Sequence, residues 1–380
     1  MNADTHPSVG NRSGDPALAE AGRIPALLRA RINRQTACSM VTCVHCGKCA
    51  QSCHYALARP HDPFMTPAYK ADQIRKIFNR HLDWMGRIFP RWVGARGKTE
   101  EDFIDSLSWV RDEVQYELGV DDVEIGVDKE DCDLIYAVNP REVKYDPRSL
   151  INAAKFFYLA GESWTLSRYG WDQTNFGLFS GDDRLGAFMA GNLYQAAERL
   201  RAKRIVVSEC GHGYRSVRWE GYNWAKYNQT IPTESVIETI MRYLREGRIK
   251  VDRSRNTASV TFHDSCNVAR YGGLVEEPRW ILKQICSDLR EMHPNGINNF
   301  CCTGGSGLLV MPEYRALRLE VAKIKAEQLK TTGADVVCTM CHNCRDGLGD
   351  LISHYQLDMK VVQIMDLVAG ALILPEKQGS

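Results

Sequence analysis

The chain has 380 residues, 44% of them hydrophobic and 25% charged, with a formal net charge of +1. That length predicts two or three domains of an ordinary soluble globular protein, and the balanced charge excludes a global field for nucleic acid or an acidic substrate. Fourteen cysteines without a secretory signal argue against a disulfide scaffold and for metal or redox chemistry in a reducing compartment, so a cytoplasmic location is expected.

In chain order, residues 1–20 are rich in Asn, Ser, Gly, Pro and Asp and are expected to form a disordered tail. Residues 21–128 read as a mainly helical domain around Cys43-Val-His-Cys46-Gly-Lys-Cys49-Ala-Gln-Ser-Cys53. This C-x2-C-x2-C-x3-C spacing is that of bacterial ferredoxins and predicts a 4Fe–4S cubane cluster. Cys43, Cys46 and Cys49 sit on one tight loop, where Gly47 permits close backbone approach. Zinc is the plainer alternative, but four cysteines so close would strain its tetrahedron. The fourth ligand lies among Cys53, Cys38 and a partner's residue, with Cys53 favoured; His54 follows where proline is usual, and no second run appears. Residues 70–98 carry eight Lys or Arg against two Asp, interleaved with Ile74, Phe78, Trp84, Ile88 and Trp92. Such a segment binds a membrane surface or a partner, or packs as a helix with a solvated face; the neutral chain favours subunit docking.

Residues 129–250 and 251–380 look like two copies of one α/β unit. In the first, strands are expected at 132–138 and 204–208; in the second, at 258–263 and 335–337, with helices at 278–289 and 314–329. Asn175-Phe-Gly-Leu stands in the first copy where Asn299-Phe-Cys-Cys stands in the second, so the first copy is degenerate and a single site should lie between them. Alternating strands and helices predict mostly parallel sheets with the site at the strand carboxyl ends. The longest apolar stretch, 361–374, is interrupted by Gln363 and Asp366 and is too short to span a membrane.

Five cysteines of the second copy form a pattern. Cys266 is followed after 34 residues by the Cys301-Cys302 pair, and after 35 more by Cys338-Thr-Met-Cys341. An adjacent pair does not readily bridge to itself, and five thiolates from three loops exceed a tetrahedral zinc site, so an iron–sulfur cluster suits them. Cys344 extends the run but is expected just outside the ligand set; Cys286 and Cys132 are expected in the core. Glu209-Cys210-Gly-His212 ends a strand of the degenerate copy, where Cys210 reads as a substrate-facing thiol or added ligand and His212 as a proton donor, or both as part of an inert turn. His263 is expected to bond cluster sulfur or cap the next helix, and Asp264 to cap it.

These motifs, together with Gly94-Ala-Arg96, Val260-Thr-Phe-His-Asp-Ser-Cys266 and Leu274-Val-Glu-Glu-Pro-Arg279, resemble the CCG-domain iron–sulfur proteins of the heterodisulfide reductase group, over about residues 38–374. The likeness is greatest to the DsrK-type subunits of sulfite-reductase-associated electron-transfer complexes. Here Thr303 follows the doublet, so the literal Cys-Cys-Gly is absent, and so are the long N-terminal extension and second ferredoxin motif of those subunits.

The resemblance implies a helical ferredoxin-type domain followed by two CCG-type α/β units, with Cys266, Cys301, Cys302, Cys338 and Cys341 on a noncubane 4Fe–4S cluster. It implies an oxidoreductase subunit acting on a thiol, disulfide or persulfide, with electrons relayed by the cubane. Expected partners are other subunits of a redox complex and a small sulfur-carrier protein as substrate, with membrane contact only through partners. Two rival readings are a subunit of a cytoplasmic sulfur-oxidising complex acting only in electron transfer or assembly, and a subunit passing electrons from organic acids. The Glu209-Cys-Gly-His212 motif favours the sulfur branch.

Overall fold

The computed structural model describes residues 100–374, apart from 145, 228–230, 306–308 and 310. The tail, the cubane cysteines Cys43, Cys46, Cys49 and Cys53, and the basic segment at 70–98 lie outside the described residues. Of the helical domain, one helix is described, Glu100–Leu118.

Eight short strands make two separate four-stranded sheets, every pairing parallel. Strands β1 (Leu134–Ala137), β2 (Trp164–Thr165), β3 (Ile205–Val207) and β4 (Thr233–Ser235) lie in the order β2-β1-β3-β4. Strands β5 (Ser259–His263), β6 (Asp288–Leu289), β7 (Val336–Thr339) and β8 (Lys360–Gln363) lie in the order β6-β5-β7-β8. One strand order thus serves both sheets. Leu134, Ile135, Tyr136 and Ala137 of β1 are all fully buried, as befits a parallel sheet covered on both faces.

The helices repeat the correspondence. Helix Pro147–Leu159, which follows β1, packs on Ile364–Ala371, which follows β8; helix Glu276–Ile285, which follows β5, packs on Val236–Arg245, which follows β4. Each half therefore lends its last helix to the other, and one continuous apolar core runs through both. In the first half Tyr136 meets Phe157 edge-on with ring centroids 5.2 Å apart, and Phe157 lies 5.0 Å from Trp164. Ser235 caps Val236–Arg245 in a reciprocal capping box with Glu238, a device worth about 1 kcal/mol.

The expected strands all form, each within a residue or two of its predicted ends. The helix expected at 278–289 stops at Ile285, because residues 288–289 pair with β5. Cys286 is the buried cap of that helix and Cys132 is fully buried before β1. Asp264 caps no helix: the next one begins at Glu276, and the carboxylate is drawn elsewhere.

Candidate functional site

Three loops, which follow β5, β6 and β7 in the chain, carry the cysteines. The first follows β5 and holds Cys266. Its conformation is fixed from beneath by Asp264, which accepts both guanidinium nitrogens of Arg279 at 2.8 Å and the Gly296 N–H at 2.7 Å. Asp264 and Arg279 are both buried, so this bidentate pair ties helix Glu276–Ile285 to the segment that leads into the doublet.

The second loop is the doublet. Thr303, just after it, adopts φ 58°, a left-handed conformation uncommon for a β-branched residue. The turn points backbone N–H groups at sulfur: Thr303 N–H approaches Cys301 Sγ at 3.2 Å and Gly304 N–H approaches Cys302 Sγ at 3.4 Å. Cys302 is buried and Cys301 is exposed, so the doublet has an inner and an outer thiol. Gly304 and Gly347 are needed for this packing: a Cβ on Gly304 would lie 2.1 Å from Asn343 O, and one on Gly347 2.7 Å from Cys302 O.

The third loop joins β7 to helix His342–Tyr355. Strand β7 runs through Cys338, whose buried thiol is raised by desolvation and faces the charges of Glu209, Cys286 and Asp366 rather than the other site cysteines. Cys341 instead caps the helix and Cys344 occupies its first turn. Three residues apart at a helix start, these two thiols lie on one side. Cys344 Sγ is 3.2 Å from Cys302 Sγ, so this thiol touches the inner member of the doublet.

The sulfurs polarise one another. Cys302 is held well below the usual thiol range by its hydrogen bonds with Cys301 and Cys344, with His263 adding to the effect. Cys341 is lowered to about 6, chiefly by a hydrogen bond from Cys344. Cys344 is raised by its hydrogen bonds with Cys302 and Cys341. Cys266, half-buried, is raised by desolvation and by the charges of Cys302 and Cys341.

The first half supplies the opposite wall. Cys210 caps the helix after β3, as Cys341 does after β7. Between them Gly211 passes so close that a Cβ there would lie 2.7 Å from Ser265 Oγ and 3.5 Å from Cys341 Sγ. Cys210 Sγ lies 3.3 Å from His212 Nδ1 and receives Asn139 Nδ2 at 3.7 Å. Burial raises Cys210, keeping it a neutral thiol, and the nearby Cys341 charge raises it further. Burial lowers His212 to about 4, which leaves it a neutral imidazole near pH 7. Phe179 packs on that ring at 4.7 Å between centroids.

Polar groups that no sequence motif marks hold the halves in register. His342, next to Cys341, bonds Glu142 of the first half at 2.5 Å, and Glu142 in turn takes the Ser208 hydroxyl. Burial opposes a charge on His342, but Glu142 and Asp146 outweigh it and hold the imidazole up at about 10. Behind Cys302, His263 Nδ1 lies 3.0 Å from Asn299 Nδ2, and Lys325 Nζ is 2.9 Å from Asn299 Oδ1. Periodicity flagged neither Lys325 nor Asn299, since each sits where an apolar residue would serve the pattern equally.

The donor set fits an iron–sulfur group. Cys266, Cys301, Cys302, Cys341 and Cys344 offer soft sulfur on loops closed by glycine, and His263, Cys302 and Cys344 have ligand atoms all within 4.8 Å of one another. Among the described residues, no helix is long and apolar enough to cross a membrane.

Comparison with known proteins agrees with this chemistry. Residues 260–348 match the family model of the cysteine-rich CCG domain. The chain is 23% identical to the Hdr-like menaquinol oxidoreductase iron-sulfur subunit 2 of Archaeoglobus fulgidus, across 90% of this chain and 81% of that protein. It is 24% identical to the Hdr-like menaquinol oxidoreductase iron-sulfur subunit of Archaeoglobus profundus, with the same two coverages. It is 25% identical to a component of the dihydromethanophenazine:CoB–CoM heterodisulfide reductase of Methanosarcina mazei, across 88% of this chain and 78% of that one.

Proposed function

From the chain's place among the heterodisulfide reductase-related CCG iron–sulfur proteins, we propose that it is the sulfur-active oxidoreductase subunit of a heterodisulfide-reductase-like complex. The described site is its reaction centre, and Cys43, Cys46, Cys49 and Cys53 hold an electron-relaying cubane. The proposed ligands of the C-terminal noncubane 4Fe–4S cluster are Cys266, Cys301, Cys302, Cys341 and Cys344, with Cys338 replaced by Cys344. When bound, that cluster would supply the electrons that break a sulfur–sulfur bond, or accept those released when one forms, on a thiol, disulfide or persulfide. Exposed Cys301 marks the side from which a substrate arrives, and half-buried Cys266 lines the same approach. Cys210, a neutral buried thiol held by neutral His212, closes the far side and keeps a proton beside the reacting sulfur. Partners are other redox subunits, with a small sulfur-carrier protein as one substrate, and any membrane contact runs through those subunits. The halves divide at about residue 250, the first serving as the wall of a site held by the second.

The observation that carries this reading is the 3.2 Å approach of Cys344 to Cys302, on the two chain segments that also carry Cys341 and Cys301. Iron per chain in anaerobically purified protein tests it. The wild type should hold about eight irons, the sum of two 4Fe–4S groups. Cys302→Ala and Cys344→Ser should each lose about half, and Cys338→Ser should keep all. Zinc in place of iron, or full iron in Cys344→Ser with loss in Cys338→Ser, would overturn the ligand set. Full iron with no turnover of any thiol or disulfide beside its partner subunits would instead leave a subunit for electron transfer alone.

A further inference from the structure

The Lys325 side chain is fully buried, and no carboxylate is bonded to its Nζ among the described residues. Its three hydrogen bonds go to neutral groups: Met292 Sδ at 2.9 Å, Asn299 Oδ1 at 2.9 Å and Gln328 Oε1 at 2.7 Å. A buried cation without a counter-charge is costly, and desolvation brings its pKa down to about 7. The groups pulling it back up are Cys302, Cys344, Asp264 and Cys301, and three of these four are site thiols. Asp264 is already engaged by Arg279 through two bonds. The negative charge left to balance Lys325 is that of the sulfur nest.

The bonds also carry a direction. An ammonium only donates, so Lys325 fixes the Asn299 oxygen toward itself and the Asn299 amide nitrogen toward His263. That nitrogen donates to His263 Nδ1 at 3.0 Å and to Asp264 O at 2.8 Å. His263 Nδ1 must therefore accept, which places the ring proton on Nε2. A ring nitrogen of His263 lies within 4.8 Å of Cys302 Sγ, and a protonated Nε2 faces sulfur as a donor and not as a metal ligand. His263 is buried, and the charges facing it are those of Lys325, Cys302 and Asp264.

We infer that Lys325 is a positioning residue which, acting through Asn299 and His263, sets the charge and hydrogen-bond polarity behind Cys302 and thereby raises the reduction potential of the C-terminal cluster. This rests on the reading of Cys302 as a cluster ligand. A nearby positive charge and a hydrogen bond to ligand sulfur both favour the state with the added electron. The chain thus carries a built-in electrostatic setting that makes its reaction centre a better electron acceptor.

The test is an EPR-monitored redox titration, with iron content, of the full-length protein and its Lys325→Met, Lys325→Gln and Lys325→Arg variants. Met and Gln should keep the iron and shift the C-terminal cluster to a more negative midpoint potential. Arg should stay near the wild type, and the signal that depends on Cys43 should not move in any of them. Loss of C-terminal iron in Met and Gln with retention in Arg would support the same charge requirement. An unmoved potential in both neutral variants, or an equal shift or iron loss in Arg, would overturn the inference by making Lys325 a matter of packing. Failure of the underlying reading is separate, since it appears as full iron in Cys302→Ala.

Discussion

Cys210 and Cys341 hold equivalent places in the two halves, each the residue that caps the helix following the third strand of its sheet. They meet across Gly211, and their thiols are biased in opposite directions. Burial raises Cys210, while hydrogen bonding from Cys344 lowers Cys341 to about 6. The difference arises three residues on. The second half has Cys344 in the first turn of its helix, and the first half has Gly213. One inherited position thus yields a sulfur suited to metal and a sulfur suited to holding a proton.

This junction predicts a steric effect. In Gly211→Ala the new Cβ would lie 2.7 Å from Ser265 Oγ, a distance that real Cβ atoms essentially never show, so the two loops must separate. C-terminal iron should fall several-fold, read by iron count and by loss of the corresponding EPR signal. Gly191→Ala is the control, because nothing lies within 4 Å of its Cβ in helix Asp183–Arg199. Removing glycine from a helix interior should there raise stability by about 0.5–1 kcal/mol. Full iron in Gly211→Ala would show that the halves do not close on Cys341.

Cys210→Ala and His212→Gln address what the wall does. Neither residue belongs to the proposed ligand set, so both variants should retain all iron. Turnover with partner subunits should drop by about 10²–10⁴, the usual range for loss of a positioned proton-transfer group. Because both groups are neutral near pH 7, the rate should show no ionisation of His212 between pH 6 and 8. Wild-type turnover in both variants would reduce the first half to a scaffold.

How much of this was legible beforehand differs by level. The parallel α/β character and the degenerate repeat were visible in the β-branched strand runs and in the spacing from Asn175 and Asn299. The choice among Cys338, Cys341 and Cys344 was not settled by spacing, because C-x2-C-x2-C contains two C-x2-C pairs. The proposed ligand set rests on where β7 ends. It continues through Cys338 and Thr339, which turns Cys338 into the core, and the helix start then gathers Cys341 and Cys344. Strand ends of two residues' uncertainty are beyond pattern reading. Asp264 misled for a related reason. An Asp after a strand reads as a helix cap, yet its partners Arg279 and Gly296 are remote in sequence and are found only in the folded chain.

That buried pair gives a stability prediction. Arg279→Met leaves the Asp264 carboxylate buried without its partner and should cost about 3–5 kcal/mol. Replacing both, as Asp264→Asn with Arg279→Met, should recover much of it, since no fully buried lone charge remains and Glu291, which also loses Arg279, is partly exposed. Urea unfolding of the full chain reads the difference. An additive double variant would mean that the two groups do not act as a pair.

Thr303 yields the remaining prediction. The resemblance to CCG proteins leads one to expect glycine after the doublet, and the structure shows why that position favours it. Thr303 sits at φ 58°, where a β-branched side chain carries a penalty of order 1–3 kcal/mol and glycine carries almost none. What threonine gains in return is small: its hydroxyl takes Arg318 only at 3.4 Å, a weak bond. The N–H that approaches Cys301 Sγ belongs to the backbone and survives the exchange. Thr303→Gly should therefore keep both clusters and gain about 1 kcal/mol, the released strain less the extra unfolded-state entropy of glycine. Thr303→Val, which keeps the branching and removes the hydroxyl, should gain nothing. If Gly destabilises the protein while Val does not, the left-handed turn is not the source of strain, and the threonine side chain has a packing role that its weak hydrogen bond does not reveal.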